Sequence, residues 1–472
     1  MAEAQTLSVK RAEVEFHNFA SLGEPERNLR VYAEENERRG GIITKHREFI
    51  GPLTPFLEIG ANAGHSSYML ANEFGAQGFA LDLSADALRW GMALQQAWNY
   101  PLAPVRIAGD AVRMPFRDGS LRFVMAYQTL SQFMDIESVL VEVKRVLAPG
   151  GVFLFGEEPL LRKLSLRLYR CPYYETMKPW ERKLHDWGLL GYLVRDVIGA
   201  QQEESFGIRQ NHSMGLKDWH TLVQKHFASH KYELFVPERG WGERVVKNAA
   251  IRLDPYRSVW RAARLLGGTL TAICKKEGAS QAAAFGEAAD YLRCPDCHGA
   301  FVSGGGETLR CSQCAYAAPL EHGVYNLLPS SEKAELYPGD RADVVDFTQA
   351  NHEQHLVGEW NKLEGSYGNK YRWIGDSAEV KLKRVSLGPQ RVRIRGFAMA
   401  HNLPVHMTLR VNGVECARFT QDRPGMFVLE SDVPDAPEYH IHIGAGPTWS
   451  APGDPRVLSV NLALIRLIPR ES

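Results

Sequence analysis

Apolar positions follow two different rhythms along the chain. In the first half, short continuous apolar runs alternate with helix-like stretches: PFLEIGA at 55–61, QGFALDL at 77–83, LRFVMAYQ at 121–128 and GVFLFGEE at 151–158 predict buried strands. The segments GHSSYMLANEF, SADALRWGMALQQ and DIESVLVEVKRVL, near or between them, predict helices. Together they predict a mostly parallel sheet with helices on both faces. KYELFVP at 231–237 and GGTLTAICKK at 267–276 complete that sheet as an antiparallel edge hairpin with a long excursion between its strands. From residue 357 onward the pattern changes to period-two runs, among them AEVKLKRVSL, RVRIRGFAM, VHMTLRVNG and VLSVNLALIRLI, punctuated by Asn-Gly, Pro-Gly and Gly-Pro. That alternation predicts an antiparallel β-sandwich.

Residues 159–230 stand out as an insertion rich in aromatic and basic side chains, read either as a lid over an acceptor site or as a helical layer shielding the sheet. A linker or short helix at 277–290 leads into a cysteine-bearing unit at 290–330. The expected organisation is an α/β domain over 1–280, a small metal-binding unit over 290–330 and an all-β sandwich over 357–472. A length of 472 residues accommodates three such units.

Charge narrows the function. Lys plus Arg and Asp plus Glu are equal at 55 each, so no global field draws the chain to a phosphate backbone, and extensive nucleic-acid binding is disfavoured. The first residues carry charges where a signal peptide needs an apolar segment, and no stretch is long and apolar enough to span a bilayer. The expectation is a cytoplasmic protein, with peripheral attachment to a membrane-associated glycan-assembly complex as its one membrane tie. Its oligomeric state is not legible.

Four signals follow one another at strand ends. Glu58-Ile59-Gly60-Ala61-Asn62-Ala63-Gly64 places a glycine-bearing turn between a strand and a helix, where Gly60 brings the backbone close to a ligand. The GxxxG spacing departs from the GxGxxG of dinucleotide enzymes. Asp82, followed by Leu83, ends the second strand in a carboxylate suited to ribose hydroxyls. Gly109-Asp110-Ala111 sets an acid and backbone groups where an adenine edge can lie, and Pro149-Gly150-Gly151 turns a helix into the next strand. This succession resembles the class I S-adenosylmethionine-dependent methyltransferases over residues 40–275. The resemblance implies a Rossmann-like seven-stranded domain with S-adenosyl-L-methionine as cofactor. Glu58, Gly60, Ala61, Asn62 and Gly64 are then at the methionine loop, Asp82 and Leu83 at the ribose, and Gly109, Asp110 and Ala111 at the adenine, with Tyr127 and Gln128 completing the cofactor-binding set. Charged or polar residues directly beyond apolar strands place the acceptor pocket over the ends of the fourth and fifth strands, near Tyr127, Gln128, Glu157 and Glu158. The family often has Gly where Asn62 stands and Asp where Arg122 stands.

Methyl transfer to a hydroxyl calls for a base, and His185, His212 and His17 are the candidate catalytic residues, beside structural roles for each. Cys294-Pro-Asp-Cys297 and Cys311-Ser-Gln-Cys314 form two CxxC knuckles, the spacing of a four-thiolate structural zinc site. The surrounding sequence resembles small zinc-ribbon proteins that bind and activate certain methyltransferases. Gly358-Glu359-Trp360, Tyr371-Arg372-Trp373 and Gly453-Asp454-Pro455-Arg456 resemble β-sandwich domains of bacterial polysaccharide-biosynthesis proteins, where tryptophan either stacks on sugars or anchors packing. The leading expectation is therefore O-methylation of a sugar hydroxyl in a polysaccharide, glycolipid or sugar precursor. Its alternatives are methylation of a small phenolic or isoprenoid metabolite or of RNA, and a glycan-binding or scaffolding protein without turnover.

Overall fold

Almost every residue of β1 (Phe56–Ile59), β2 (Gly78–Asp82) and β4 (Leu121–Tyr127) is buried, as strands covered on both faces must be. The computed structural model describes residues 10, 11, 14, 25–133, 135–160, 179, 180, 183, 214–236, 260, 263, 267–279, 284–303, 307–339, 341–349, 352–366, 369–450 and 453–470. Two compact units result, one of Ser8–Glu13 with Leu29–Pro329, the other of Met1–Leu7, Val14–Asn28 and Ser330–Ser472.

In the first unit, β3 (Val105–Ala108), β5 (Leu147–Leu160), β6 (Ser229–Phe235) and β7 (Gly268–Lys275) join the three strands above in the order β6-β7-β5-β4-β1-β2-β3. β1 to β5 are mutually parallel, β7 is antiparallel to β5, and β6 is antiparallel to β7. This is a Rossmann-like α/β core. The apolar pattern leaves out β3, because it is four residues long and carries Arg106. That arginine is buried where Tyr68 Oη accepts from its Nε at 3.0 Å and the Gly323 carbonyl accepts from Nη1 at 3.2 Å.

The longer helices among the described residues are α1 (Pro25–Lys45), α2 (His65–Glu73), α3 (Ala85–Ala97), α4 (Ile136–Val146) and α5 (Leu216–His226). Ser84 Oγ caps α3 by accepting from Ala87 N, and Asp135 caps α4 by accepting from Ser138 N, which satisfies first-turn amides left without intrahelical partners. α4 buries Val139, Leu140, Val143 and Val146, the i, i+3, i+4 stripe of an amphipathic helix. Of the expected insertion at 159–230, the described end is α5, whose Trp219 is buried against Phe155 with ring centroids 5.5 Å apart.

The cysteine module continues the same sheet. Its strands β8 (Phe301–Ser303), β9 (Thr308–Cys311), β10 (Ala317–Glu321) and β11 (Val324–Asn326) extend the order beyond β3 as β11-β10-β9-β8. β11 runs parallel to β3, pairing Val324 with Arg106, Tyr325 with Ile107 and Asn326 with Ala108. On the module's other flank, Phe116 bridges Leu292, while Arg117 donates from Nε to the Leu292 carbonyl and from Nη2 to the Ala289 carbonyl. The loop between β3 and β4 is thus gripped from both sides.

The second unit holds a six-stranded and a five-stranded antiparallel sheet among its described residues. One apolar core draws Val392 and Ile394 from the first and Val380, Leu409 and Ile443 from the second. Trp360 packs against that core and donates its indole N–H to the Glu379 carbonyl, and Trp373 is buried. Both serve packing rather than offering a free ring face. No helix of the described residues is long and apolar enough to cross a membrane.

Candidate functional site

The C-terminal ends of β1, β2, β3, β4 and β5 lie side by side, the edge where open α/β sheets receive ligands. At the end of β1, Gly60 has φ +61°, and a Cβ there would come within 2.4 Å of Thr129 Cγ2. Asn62 also adopts a left-handed backbone, φ 50°, which explains how Asn stands where the family often has Gly: among non-glycine residues it tolerates this region well. Gly64, φ +75°, begins α2, and Ala61 N donates to the Leu81 carbonyl to tie the loop to β2.

Glu58 is buried beneath this loop and accepts from Ser67 N at 2.8 Å and Ser67 Oγ at 2.6 Å, so it clamps the first turn of α2 to β1. Burial pushes its carboxyl up to about 7 against those hydrogen bonds. Asp82 accepts from Asn62 N at 2.7 Å and from Ser84 N at 2.8 Å, joining the glycine loop to the start of α3. Leu83 follows it, half-buried. At the end of β3, Gly109 N donates to the Asp82 carbonyl, Asp110 accepts from Val112 N at 3.0 Å and pairs with Lys10 at 2.6 Å, and Ala111 is buried. The residues expected from the sequence at the methionine, ribose and adenine positions therefore form one continuous line.

On the other side of β1, Tyr127 ends β4, buried beneath the Arg39 guanidinium, whose carbon lies 4.5 Å from the ring centroid. The next residue, Gln128, is exposed with φ 53°, and Glu157 on β5 has φ 58°. Two non-glycine residues in left-handed backbone at adjacent strand ends mark a site at which local strain is retained. They are linked, since Gln128 Nε2 donates to Glu157 Oε2 at 2.7 Å. Glu158 acts differently, because its carboxylate accepts from the backbone amides of Thr129, Leu130 and Ser131, which fixes the turn after β4.

Sequence reasoning missed a buried polar group between α1 and α2. Arg39 Nη1 donates to Ser66 Oγ at 2.7 Å and lies 2.7 Å from His65 Nε2; Arg39 Nη2 pairs with Glu35 at 3.1 Å and Glu157 at 3.5 Å. Two signals could have found it: Glu35 and Arg39 have the i, i+4 spacing, and His65 follows Gly64 directly. His17, His185 and His212 lie outside the described residues.

In the cysteine module the four Sγ atoms of Cys294, Cys297, Cys311 and Cys314 all lie within 4.8 Å of one another. Gly299 N and Gln313 N donate to the sulfurs of Cys297 and Cys311. This group has the composition and spacing to hold a metal ion.

Residues 57–155 match a family described as "Methyltransferase domain". Among curated relatives, norajmaline N-methyltransferase of Rauvolfia serpentina is 25% identical over 128 residues, covering 27% of this chain and 41% of its own. The chloroplastic tocopherol O-methyltransferase of Arabidopsis thaliana is 27% identical over 168 residues, covering 36% and 45% respectively. The chain thus spans less than half the length of these relatives. A solved phosphoethanolamine N-methyltransferase 2 of Haemonchus contortus, in complex with phosphomonomethylethanolamine and S-adenosylhomocysteine, aligns over 51% of this chain and 52% of its own at 15% identity and a TM-score of 0.32. With its glycine loop and strand-end acids in line, the segment 57–155 is an S-adenosylmethionine-dependent methyltransferase domain.

Proposed function

We propose that the protein transfers the methyl group of S-adenosylmethionine to a small phenolic or isoprenoid metabolite. The observation that carries methyl transfer is the line of Gly60, Asp82 and Asp110 along the C-terminal edge of one sheet, within the segment that matches the methyltransferase family. Bound there, the cofactor supplies an electrophilic methyl. In this reading the chain's own residues would orient it: Asp82 would take the ribose hydroxyls, Asp110 the adenine end, and the glycine loop the methionine end. Positioning of this kind accounts for much of the rate when a nucleophile must approach in line.

The acceptor class rests on the relatives named for tocopherol, of which the rice protein is 32% identical over 95 residues. Sugar O-methylation, the leading expectation from the sequence, gives way to this alternative. It leaned on tryptophans as sugar platforms, and Trp360 and Trp373 are instead engaged in packing. For a hydroxyl acceptor, His17, His185 and His212 remain the bases proposed.

We further infer structural zinc at the four cysteines. Neighbouring sulfurs lie 3.4 Å, 3.4 Å and 3.6 Å apart, near the roughly 3.8 Å edge of a tetrahedron with zinc–sulfur bonds of about 2.3 Å.

Incubation of the full chain with labelled S-adenosylmethionine and separate pools of phenols, prenylated quinols, free and lipid-linked sugars, and RNA tests the acceptor. Label in the phenolic or prenylated pool supports the reading, and label confined to sugars or RNA overturns it.

A further inference from the structure

The acid at the end of β3 already has a partner within the chain. Lys10 Nζ lies 2.6 Å from Asp110 Oδ2, while Val112 N donates to Oδ1 at 3.0 Å. The two side chains are 13% and 7% exposed. Water and salt screen so enclosed a pair far less than an ion pair on an open surface, and the attraction is correspondingly stronger. Lys10 belongs to the stretch Ser8–Glu13, which groups with the unit that carries β1 to β5. Arg11 beside it is buried as well, so Lys10 is held by packing and does not merely reach across a surface.

The contact is one of charge. Lys10 stands close to Oδ2 without the angles of a hydrogen bond, and that oxygen makes no directed hydrogen bond to any described residue. An adenine laid against Asp110 brings a neutral exocyclic amine, a donor that needs the same carboxylate. With so little of that side chain open to solvent, the amine reaches it only by taking the place of a group that covers it, and Lys10 is the cation in contact. The exchange gives Oδ2 a directed hydrogen bond but replaces a full charge by a neutral partner. Breaking an enclosed ion pair is the unfavourable half of that exchange.

Resting on the methyltransferase reading, we propose that Lys10 is an autoinhibitory plug: in the free chain its ammonium holds the adenine position closed by pairing with Asp110, and the cofactor binds only when Lys10 leaves. The free energy of the pair is then subtracted from cofactor affinity, and the N-terminal stretch sets the concentration at which the site fills.

Calorimetric titration of the full chain with S-adenosylhomocysteine tests the plug. When only one molecule in about ten has the site open, apparent affinity is lowered about tenfold. Lys10→Met, which keeps an aliphatic side chain and removes the ammonium, is therefore expected to bind about tenfold more tightly than the native chain. On an Asp110→Asn background the same substitution is expected to change nothing, because the pair is already broken. A second readout uses the native chain and so decides even if the variant does not fold: acetic anhydride labelling of lysine amines, followed by mass spectrometry, is expected to modify Lys10 faster when S-adenosylhomocysteine is saturating. Weaker or unchanged binding by Lys10→Met overturns the plug, as does labelling of Lys10 that slows or stays the same with the ligand bound. A native chain and a Lys10→Met variant that both bind no S-adenosylhomocysteine overturn the methyltransferase reading on which the plug rests.

Discussion

Glu58 illustrates how a single residue of the glycine loop registers in stability. Burial raises its carboxyl to about 7, above the value of about 4.3 for glutamate in an unfolded chain. The folded protein therefore holds this proton more tightly than the unfolded one. The resulting stabilisation is fully present below the unfolded value and is lost as pH rises through about 7. Glu58→Gln keeps an acceptor for Ser67 and removes the titration. Urea unfolding of both proteins across this range should show the native chain losing on the order of 3 kcal/mol relative to the variant between pH 4.5 and 8. A constant difference would mean that Glu58 titrates alike in both states. At this scale the sequence is informative wherever a residue type announces its own conformation, as Gly60 and Gly64 do in a strand-to-helix turn. It is uninformative for Arg39 and His65, whose meaning lies in an encounter between helices 26 residues apart in sequence.

Among the elements, the union of β11 with β3 has the largest consequence. Leu327 N donates to the Ala108 carbonyl immediately before Gly109 and Asp110, and Arg117 N donates to the Tyr291 carbonyl. A metal that holds the two knuckles together therefore also holds the loop that carries Asp110. Chelation, or Cys294→Ser, is expected to remove one zinc per chain and to accelerate hydrogen exchange at the amides of Leu327 and Arg117, while amides of β1 and β4 stay protected. Unchanged exchange at Leu327 and Arg117 after complete metal loss would show that the pairing stands without the metal. The cysteine spacing is legible because ligand geometry is local. The pairing of β11 is not, since Val324, Tyr325 and Asn326 form a strand too short to carry a periodic signal. β3 escapes the pattern for the same reason, whereas the longer β4 and β5 and the amphipathic α4 declare themselves.

At the scale of the whole molecule, the chain consists of two units with separate apolar cores, and the proposed chemistry belongs to one of them. The two rhythms of apolar residues foretell that division, because buried parallel strands and half-exposed antiparallel strands leave different patterns. The acceptor is not legible in the same way, since recognising it depends on side chains that converge from several elements. Cofactor recognition by the intact chain is the first requirement of methyl transfer. Titration with S-adenosylhomocysteine measures it directly, comparing the native protein with Asp82→Asn, which exchanges a carboxylate for an amide at the end of β2. One ligand per native chain and about tenfold weaker binding by the variant are expected; no binding by the native chain, or equal affinity in the two proteins, would contradict a cofactor site at this edge of the sheet.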